Sequence, residues 1–391
     1  MVHILVAYKQ FPASSVGHAG GESLYALMRE LRARGHQLSL VARIADDELD
    51  HLDEVCALCE HVYTVPHHRT QPGPRLLAFV RSYLALRGAI RRAIRETKPD
   101  FLHVETTQTA IAALGLRRPP ASYRTQDVNW HLLEQRAARL SGLRRLIVQG
   151  MGRILRRLEP WICRQYDLML AISEGDRRLL APACGGHRIL IVPLAPAVTS
   201  DSSGSPAVDG EANVLFVGAM SRDHNVDGVT WFLDRVWDRI SETVPNARFY
   251  VVGGSPPDSL VARADGKRVV VTGYVDDLSS WYRAAAVFVS PLLVAGGLLQ
   301  KVLDAMALGV PVVATPVSNH GASAVPDEHL LLADEPAAFA DAVVRLLRDP
   351  ALRARLGAAA RQFVSRHYDL GPAMDRWETE VHALVGGGRA D

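Results

Sequence analysis

Twice along the chain, short runs of β-branched and other apolar residues alternate with longer segments of helical periodicity. In the first half, residues 2–7, 37–42, 62–65, 101–104, 121–124, 168–172 and 189–192 read as strands. Helices are expected at 23–34, 53–61, 76–96, 132–164 (with a break near Gly150 and Gly152) and 174–180. The second half repeats the pattern, with strands at 213–217, 248–252, 269–272, 287–290 and 312–314 and helices at 226–240, 278–285, 300–308, 336–348, 351–367 and 372–384. Strands this short, separated by helices, are restricted to parallel pairing, because a parallel neighbour is reached only through a long crossover. The expected class is α/β, with two Rossmann-like domains whose parallel sheets face each other across a cleft, a common place for a ligand.

Residues 199–212 are polar, rich in Gly, Ser and Asp, and lack apolar periodicity, which marks a linker. The expected division is therefore a first domain at 1–198 and a second at 213–371, with a further helix within 372–391. In that helix Met374, Trp377, Val381 and Leu384 recur at helical spacing, as a core stripe does. Charge divides with the domains. Residues 1–200 carry 27 basic side chains against 18 acidic, and residues 201–391 carry 17 against 24. Arg81, Arg87, Arg91, Arg92 and Arg95 on one expected helix and Arg144, Arg145, Arg153, Arg156 and Arg157 on another either lie in solvent or meet an anionic membrane surface. No nucleic-acid partner is expected. The chain opens directly on a strand, without a signal-like segment, and no window reaches the ~18 apolar residues of a membrane span. The expected location is cytoplasmic, with peripheral membrane contact possible in principle. Cys56 and Cys59 form a CxxC without a second ligand pair; on a helix at 53–61 both thiols share one face, and packing explains them.

Two glycine loops carry the chemistry. The first, PASSVGHAGG at 12–21, follows a strand and opens a helix. Glycine lets backbone amides approach an anion, and the helix N-terminus adds partial positive charge; a tight turn of small residues reads the same way. The second lies in VSPLLVAGGLLQKVLDAMALGVPVVAT at 289–315. Here the amides of Gly297, Leu298 and Leu299 are placed to hold a diphosphate at the start of a helix. Lys301 sits in the first turn, where a cation opposes the helix dipole unless an anion is near. Asp304, three residues on, shares its helix face and suits ribose hydroxyls. An ordinary Lys–Asp surface pair fits the residues equally well.

The second loop and its helix resemble the donor site of glycosyltransferase family 4, whose members have the GT-B fold. The matching pattern is Gly297, then Lys301, then Leu303-Asp304-Ala305-Met306-Ala307. FVGAMSRDHN at 216–225 is similar to the first strand and loop of the family's donor domain, TGYVDD at 272–277 to its base-reading loop, Gly20-Gly21 to its N-domain glycine loop, and DLMLAISEGD at 167–176 to its last N-domain strand and helix. The resemblance covers nearly the whole chain and implies that the terminal helix within 372–391 packs back on the first domain. It implies a retaining transfer of sugar from a UDP- or GDP-linked donor to a hydroxyl acceptor, with the nucleotide-sugar as co-substrate, no metal, and no tightly bound cofactor. The acceptor stays open among glycans, lipid-linked glycans and natural products. The implied catalytic groups are Glu105, Arg222 and Lys301. The implied donor contacts are Gly218, Asn225, Tyr274, Gly296, Gly297, Leu298, Leu299 and Asp304. The implied acceptor side holds His18, Gly20, Gly21, Arg124, Asp127 and Asn129. Departures are visible. The family's paired acids fall at Gly296 and Asp304, so one acid is missing; its cation pair falls near Ala219 and His224; its N-domain histidine falls at Glu105. These departures keep two alternatives open, a non-catalytic nucleotide-sugar binder and a GT-B epimerase or phosphorylase.

Overall fold

The computed structural model describes residues 1–14, 19–67, 74–186, 188–194, 196, 198 and 207–387. The alternation folds into two separate parallel sheets. The first is built by β1 (His3–Tyr8), α1 (Ala19–Ala33), β2 (Gln37–Ile44), α2 (Leu52–Cys56), β3 (His61–Pro66), α3 (Arg75–Thr97), β4 (Phe101–Glu105), α4 (Thr107–Ala113), β5 (Ala121–Thr125), α5 (Asn129–Ala138), α6 (Gly142–Cys163), β6 (Leu168–Ala171), α7 (Glu174–Leu180) and β7 (Ile189–Ile191). Its seven strands run in the order β3-β2-β1-β4-β5-β6-β7. The second is built by β8 (Asn213–Val217), α8 (Asp223–Arg235), α9 (Trp237–Thr243), β9 (Arg248–Val252), α10 (Asp258–Val261), β10 (Val269–Gly273), α11 (Leu278–Ala284), β11 (Val287–Ser290), α12 (Gln300–Ala307), β12 (Val312–Ala314), α13 (Pro316–Asn319), β13 (Leu331–Leu332), α14 (Pro336–Arg348) and α15 (Pro350–His367). Its six strands run β10-β9-β8-β11-β12-β13. The chain divides into one unit of Met1–Ala195 with Leu370–Asp391 and another of Pro196–Asp369.

The last helix, α16 (Leu370–Gly387), belongs to the first unit. Its Met374, Trp377 and Val381 join the core made by β1, β2 and α1. The Trp377 ring stands edge-on to both Phe101 and His103, with centroids 5.9 Å away in each case. Burying an aromatic of this size accounts for about 3–5 kcal/mol against its truncation. Ser173 caps α7 as its side chain predicts, accepting from the Asp176 amide at 3.0 Å. Gly35 ends α1 at φ 86, a left-handed position that glycine takes without steric cost.

Three expectations are corrected. The segment 53–61 is not one helix: α2 ends at Cys56, and the Glu60 amide already pairs with Leu38 O at the start of β3. Cys56 is consequently exposed and Cys59 buried, on no common face. The long helix at 132–164 breaks not at Gly150 and Gly152 but at 139–141, where Ser141 is extended and Gly142 has φ 59. Gly150 and Gly152 lie inside α6, and Gly152 is buried against Leu133 and Trp130 of α5. The helix at 226–240 divides at Val236, whose φ of −123° leaves the helical region. That turn drives Val236 and Trp237 into the core with Phe232 and Phe249.

Candidate functional site

In each sheet the strand order reverses at one place, between β1 and β4 in the first unit and between β8 and β11 in the second. Loops leaving neighbouring strands there run to opposite faces of the sheet, which opens a crevice at the strand ends. In the second unit the loops at 218–222 and 291–299 leave from this place.

Glycine sets how closely these loops pack. Gly253, at φ 149, lies so near Gly218 that a Cβ would overlap the Gly218 carbonyl. Gly297 is left-handed at φ 57, and a Cβ on Gly321 would overlap the Gly297 carbonyl. The loop before α12 is thus clamped by backbone. No side chain caps α12, since its N-cap is Leu299. Lys301, in the first turn, reaches back across Gly218. A Cβ there would come 2.6 Å from its Nζ. The ammonium donates to Asn225 Oδ1 at 2.7 Å and lies 4.3 Å from the centroid of the Phe216 ring. Asn225 is fixed in turn by donating to Ala219 O at 2.8 Å.

The electrostatics are one-sided. Burial and the Arg222 guanidinium bring the Lys301 pKa down to about 7. Burial, Lys301 and Arg222 bring that of His224 down to about 4, so the ring is neutral at pH 7. Among the described residues no carboxylate lies within ion-pair distance of Lys301. Arg222 is exposed at the start of α8. Two cations thus converge on a glycine-floored loop, with a ring π-face and an amide oxygen as the contacts that hold Lys301. Asp304 is turned elsewhere despite its spacing: it is buried, accepts from Gln300 Nε2 at 3.0 Å, and raises the Tyr282 pKa beyond the effect of burial. Tyr274 is 67% exposed on the loop after β10, against Gly254. Gly296, Gly297 and Leu298 lie in the same loop as Leu299, with Gly297 and Leu298 buried.

In the first unit, sheet register assembles the group at the end of β4. Glu105 faces Arg124 of β5, and His103 faces Ser122. Arg124 Nε donates to Glu105 Oε1 at 2.6 Å, His103 Nε2 lies 3.0 Å from the same oxygen, and Gln126 Nε2 donates to Oε2 at 3.2 Å. Burial pushes the Glu105 pKa up, but Arg124 and His103 outweigh it and hold the carboxyl below its usual range. Glu105, Arg124 and His103 are all fully buried. Glu105, expected as a catalytic group, is therefore enclosed, with both oxygens engaged. Gly20 packs over this group; a Cβ would come 2.5 Å from Tyr8 Oη and 2.7 Å from Gln126 Oε1. Gly21 follows it in α1, and His18 falls outside the described residues. Asn129 donates to Thr107 Oγ1 at 3.2 Å and to Glu159 Oε1. Asp127 is partly buried, and its charge adds to burial in raising the pKa of Glu159 and in raising that of Asp176 to about 7.

Glu159, Gly253 and Gly321 were not expected in these clusters. The paired glycines at 253–254, ending a strand, are the one signal of a close backbone approach in the sequence.

Residues 20–195 match the family model described as Glycosyltransferase Family 4, and residues 211–349 match that of Glycosyl transferases group 1. A phosphatidyl-myo-inositol mannosyltransferase of Mycobacterium leprae is 27% identical over 352 residues, covering 87% of each chain. An uncharacterized 44.6 kDa protein in the cps region of Klebsiella pneumoniae is 25% identical over 165 residues, 40% of this chain and 42% of that protein. Among solved structures, sucrose-phosphate synthase of Thermosynechococcus elongatus superposes with a TM-score of 0.76 at 18% identity, covering 99% of this chain and 100% of that one. Anabaena HepE in complex with UDP-glucose superposes with a TM-score of 0.67 at 15% identity, covering 98% and 100%. One family model falls on each unit in turn, and the fold is that of the GT-B enzymes: the chain belongs to the family 4 glycosyltransferases.

Proposed function

We propose that the chain transfers a sugar from a nucleoside diphosphate sugar to a hydroxyl acceptor, with retention of anomeric configuration. The observation that carries this reading is Lys301. An ammonium with no carboxylate beside it among the described residues, depressed in pKa by burial and by a second cation, is a site short of one anion. A diphosphate fits that deficit. Its oxygens would take the Lys301 ammonium, the Arg222 guanidinium and the amides of Gly297, Leu298 and Leu299. UDP-glucose in the complex with HepE supports a donor of this class.

In the proposed reaction the bond from the sugar's anomeric carbon to the β-phosphate oxygen breaks, and negative charge builds on the diphosphate. Lys301 and Arg222 stabilise that charge where it develops. The acceptor oxygen bonds to the anomeric carbon on the face the phosphate leaves, and its proton passes to a phosphate oxygen. Nucleoside diphosphate is released. No tightly bound cofactor enters this scheme. We assign Asn225 to holding Lys301 in place and Tyr274 to the base. Asp304 is assigned to the ribose, which requires its bond with Gln300 to be exchanged. Gly20, Gly21, Arg124, Asp127 and Asn129 are assigned to the acceptor side, with Glu105 holding Arg124.

A thermal-shift series against UDP- and GDP-sugars tests the reading. One donor class should raise the unfolding temperature of the unaltered chain, and Lys301→Ala and Arg222→Ala should each remove most of that rise. Equal shifts in all three proteins would refute the donor site. Nucleotide release that depends on added acceptor separates a transferase from a non-catalytic binder, a distinction made pertinent by Gly296 at the position of an acid.

A further inference from the structure

Of the 15 large apolar side chains exposed among the described residues, six lie on α6 and four on α3, so the exposure is concentrated rather than scattered. Both helices pack on α4 and share one core on the same face of the first sheet, so their outer surfaces belong to one side of the unit. On α6 the exposed set is Leu143, Leu146, Ile147, Met151, Ile154 and Trp161. At 3.6 residues per turn, Leu143, Ile147, Ile154 and Trp161 fall on one narrow line. Gly152, Glu159 and Cys163, which are buried, lie on the opposite side of the helix. The line is therefore the helix's outward crest. Leu143 is 73% exposed, Leu146 64% and Ile154 65%, values that no internal packing explains.

The charges beside that crest are all of one sign. Arg144, Arg153 and Arg157 flank it, Arg145 and Arg156 stand on the far side of the helix, and the single acid of α6, Glu159, is buried. Arg156 is taken by Glu134 at 3.0 Å and lies over the Trp130 ring. Among the described residues no carboxylate is within ion-pair distance of Arg144, Arg145, Arg153 or Arg157. Arg144 and Arg145 stand in the opening turns of a helix with no acidic residue in its first turn and no side-chain cap. Cations there oppose the helix dipole, an arrangement that an external anion reverses.

We infer that α6 lies in the headgroup region of an anionic lipid bilayer, its crest of Leu, Ile, Met and Trp inserted below the phosphates and its arginines paired with them. An apolar line with a cationic border matches this interface, since arginine stems cover apolar surface while their heads reach phosphate. The surface of α3 adds Leu77, Val80 and Leu84 beside Arg81, Arg91 and Arg92 on the same side. This inference is independent of the donor site, which lies in the other unit.

The test is flotation of the full chain with vesicles of phosphatidylcholine alone and of phosphatidylcholine mixed with phosphatidylglycerol. Expected are binding to the mixed vesicles, loss of binding at high salt, and a partition at least ~10-fold lower for Ile147→Glu/Ile154→Glu and for Arg153→Glu/Arg157→Glu. Neither pair enters the core, so donor-induced thermal shifts should stay unchanged in both and report intact folding. Fluorescence of the unaltered chain should shift to the blue with mixed vesicles, and Trp161→Phe should remove most of that shift. Absence of binding by the unaltered chain overturns the inference, as does equal binding by both double variants. Sedimentation showing a dimer that Ile147→Glu/Ile154→Glu dissociates, with no vesicle binding, overturns it in favour of a second copy of the chain.

Discussion

The depressed proton affinity of Lys301 gives donor binding a pH dependence whose sign and steepness follow from the structure. Free, the ammonium titrates at about 7, because burial and Arg222 oppose its charge. In the proposed donor site, a bound diphosphate would supply the missing negative charge and raise the pKa back toward its ordinary value. Donor affinity should therefore be flat below pH 7 and fall above it, approaching tenfold per pH unit by the linkage between proton and ligand. By pH 8 roughly nine in ten free sites lack the proton, so binding should take up close to one proton per site. The sign for the unliganded protein is opposite to that for binding. The unfolded lysine, at 10.5, holds its proton more tightly than the folded one, so stability of the free protein should rise from about pH 7 toward 10.5. Titration calorimetry in two buffers of different ionisation enthalpy measures the uptake directly. A nucleotide-sugar is the right ligand, because its diphosphate carries no group that titrates in this range. Arg222→Ala should move the midpoint upward, and Lys301→Ala should abolish the uptake. A pH-independent affinity, or an uptake that survives Lys301→Ala, would refute the reasoning.

Three further outcomes follow from the packing. Gly218→Ala places a methyl on the path of Lys301 Nζ and should weaken the proposed nucleotide-sugar binding by about tenfold or more, as read by calorimetry, with little effect on the Glu105–Arg124 group. Glu105→Gln leaves Arg124 as a buried cation without a counter-charge and should cost about 3–5 kcal/mol in denaturant unfolding; a loss below about 1 kcal/mol would mean that the pair is not enclosed as described. Asp176→Asn removes a carboxyl whose folded pKa of about 7 exceeds its unfolded value of 3.8, so the native protein loses stability as pH rises between those values. The variant should be stabilised relative to the parent at pH 8, by on the order of 2–4 kcal/mol, and gain nothing at pH 4.

Periodicity placed the fold well where strands are buried on both faces. The strands 213–217, 248–252, 287–290 and 312–314 and the helix Pro336–Arg348 stand as the pattern of apolar residues set them, since continuous apolar runs have few other uses. It did not reach β13, two residues long, nor the turn at Val236, where tertiary packing of Trp237 overrides a continuous helical pattern. The loop at 291–299 was legible because glycines, a cation and a helix start are adjacent in sequence. The contact of Lys301 with Asn225 was not, because it joins positions 76 residues apart. Nor was the enclosure of Glu105, which depends on the β4–β5 register bringing Arg124 opposite it. Asp304 shows the limit of helical spacing as a guide: three residues from Lys301 is close along the helix, yet the carboxylate is buried and accepts from Gln300.

The return of α16 to the first unit has a consequence for biogenesis. Trp377 fills the space beneath Phe101 and His103, so the N-terminal sheet emerges from the ribosome long before the residue that completes its interior. The second unit runs without interruption from Pro196 to Asp369, so all of its segments are made before α16. A released chain truncated just short of residue 370 should hold a folded second unit tethered to an unfinished first one, protected from protease on one side only.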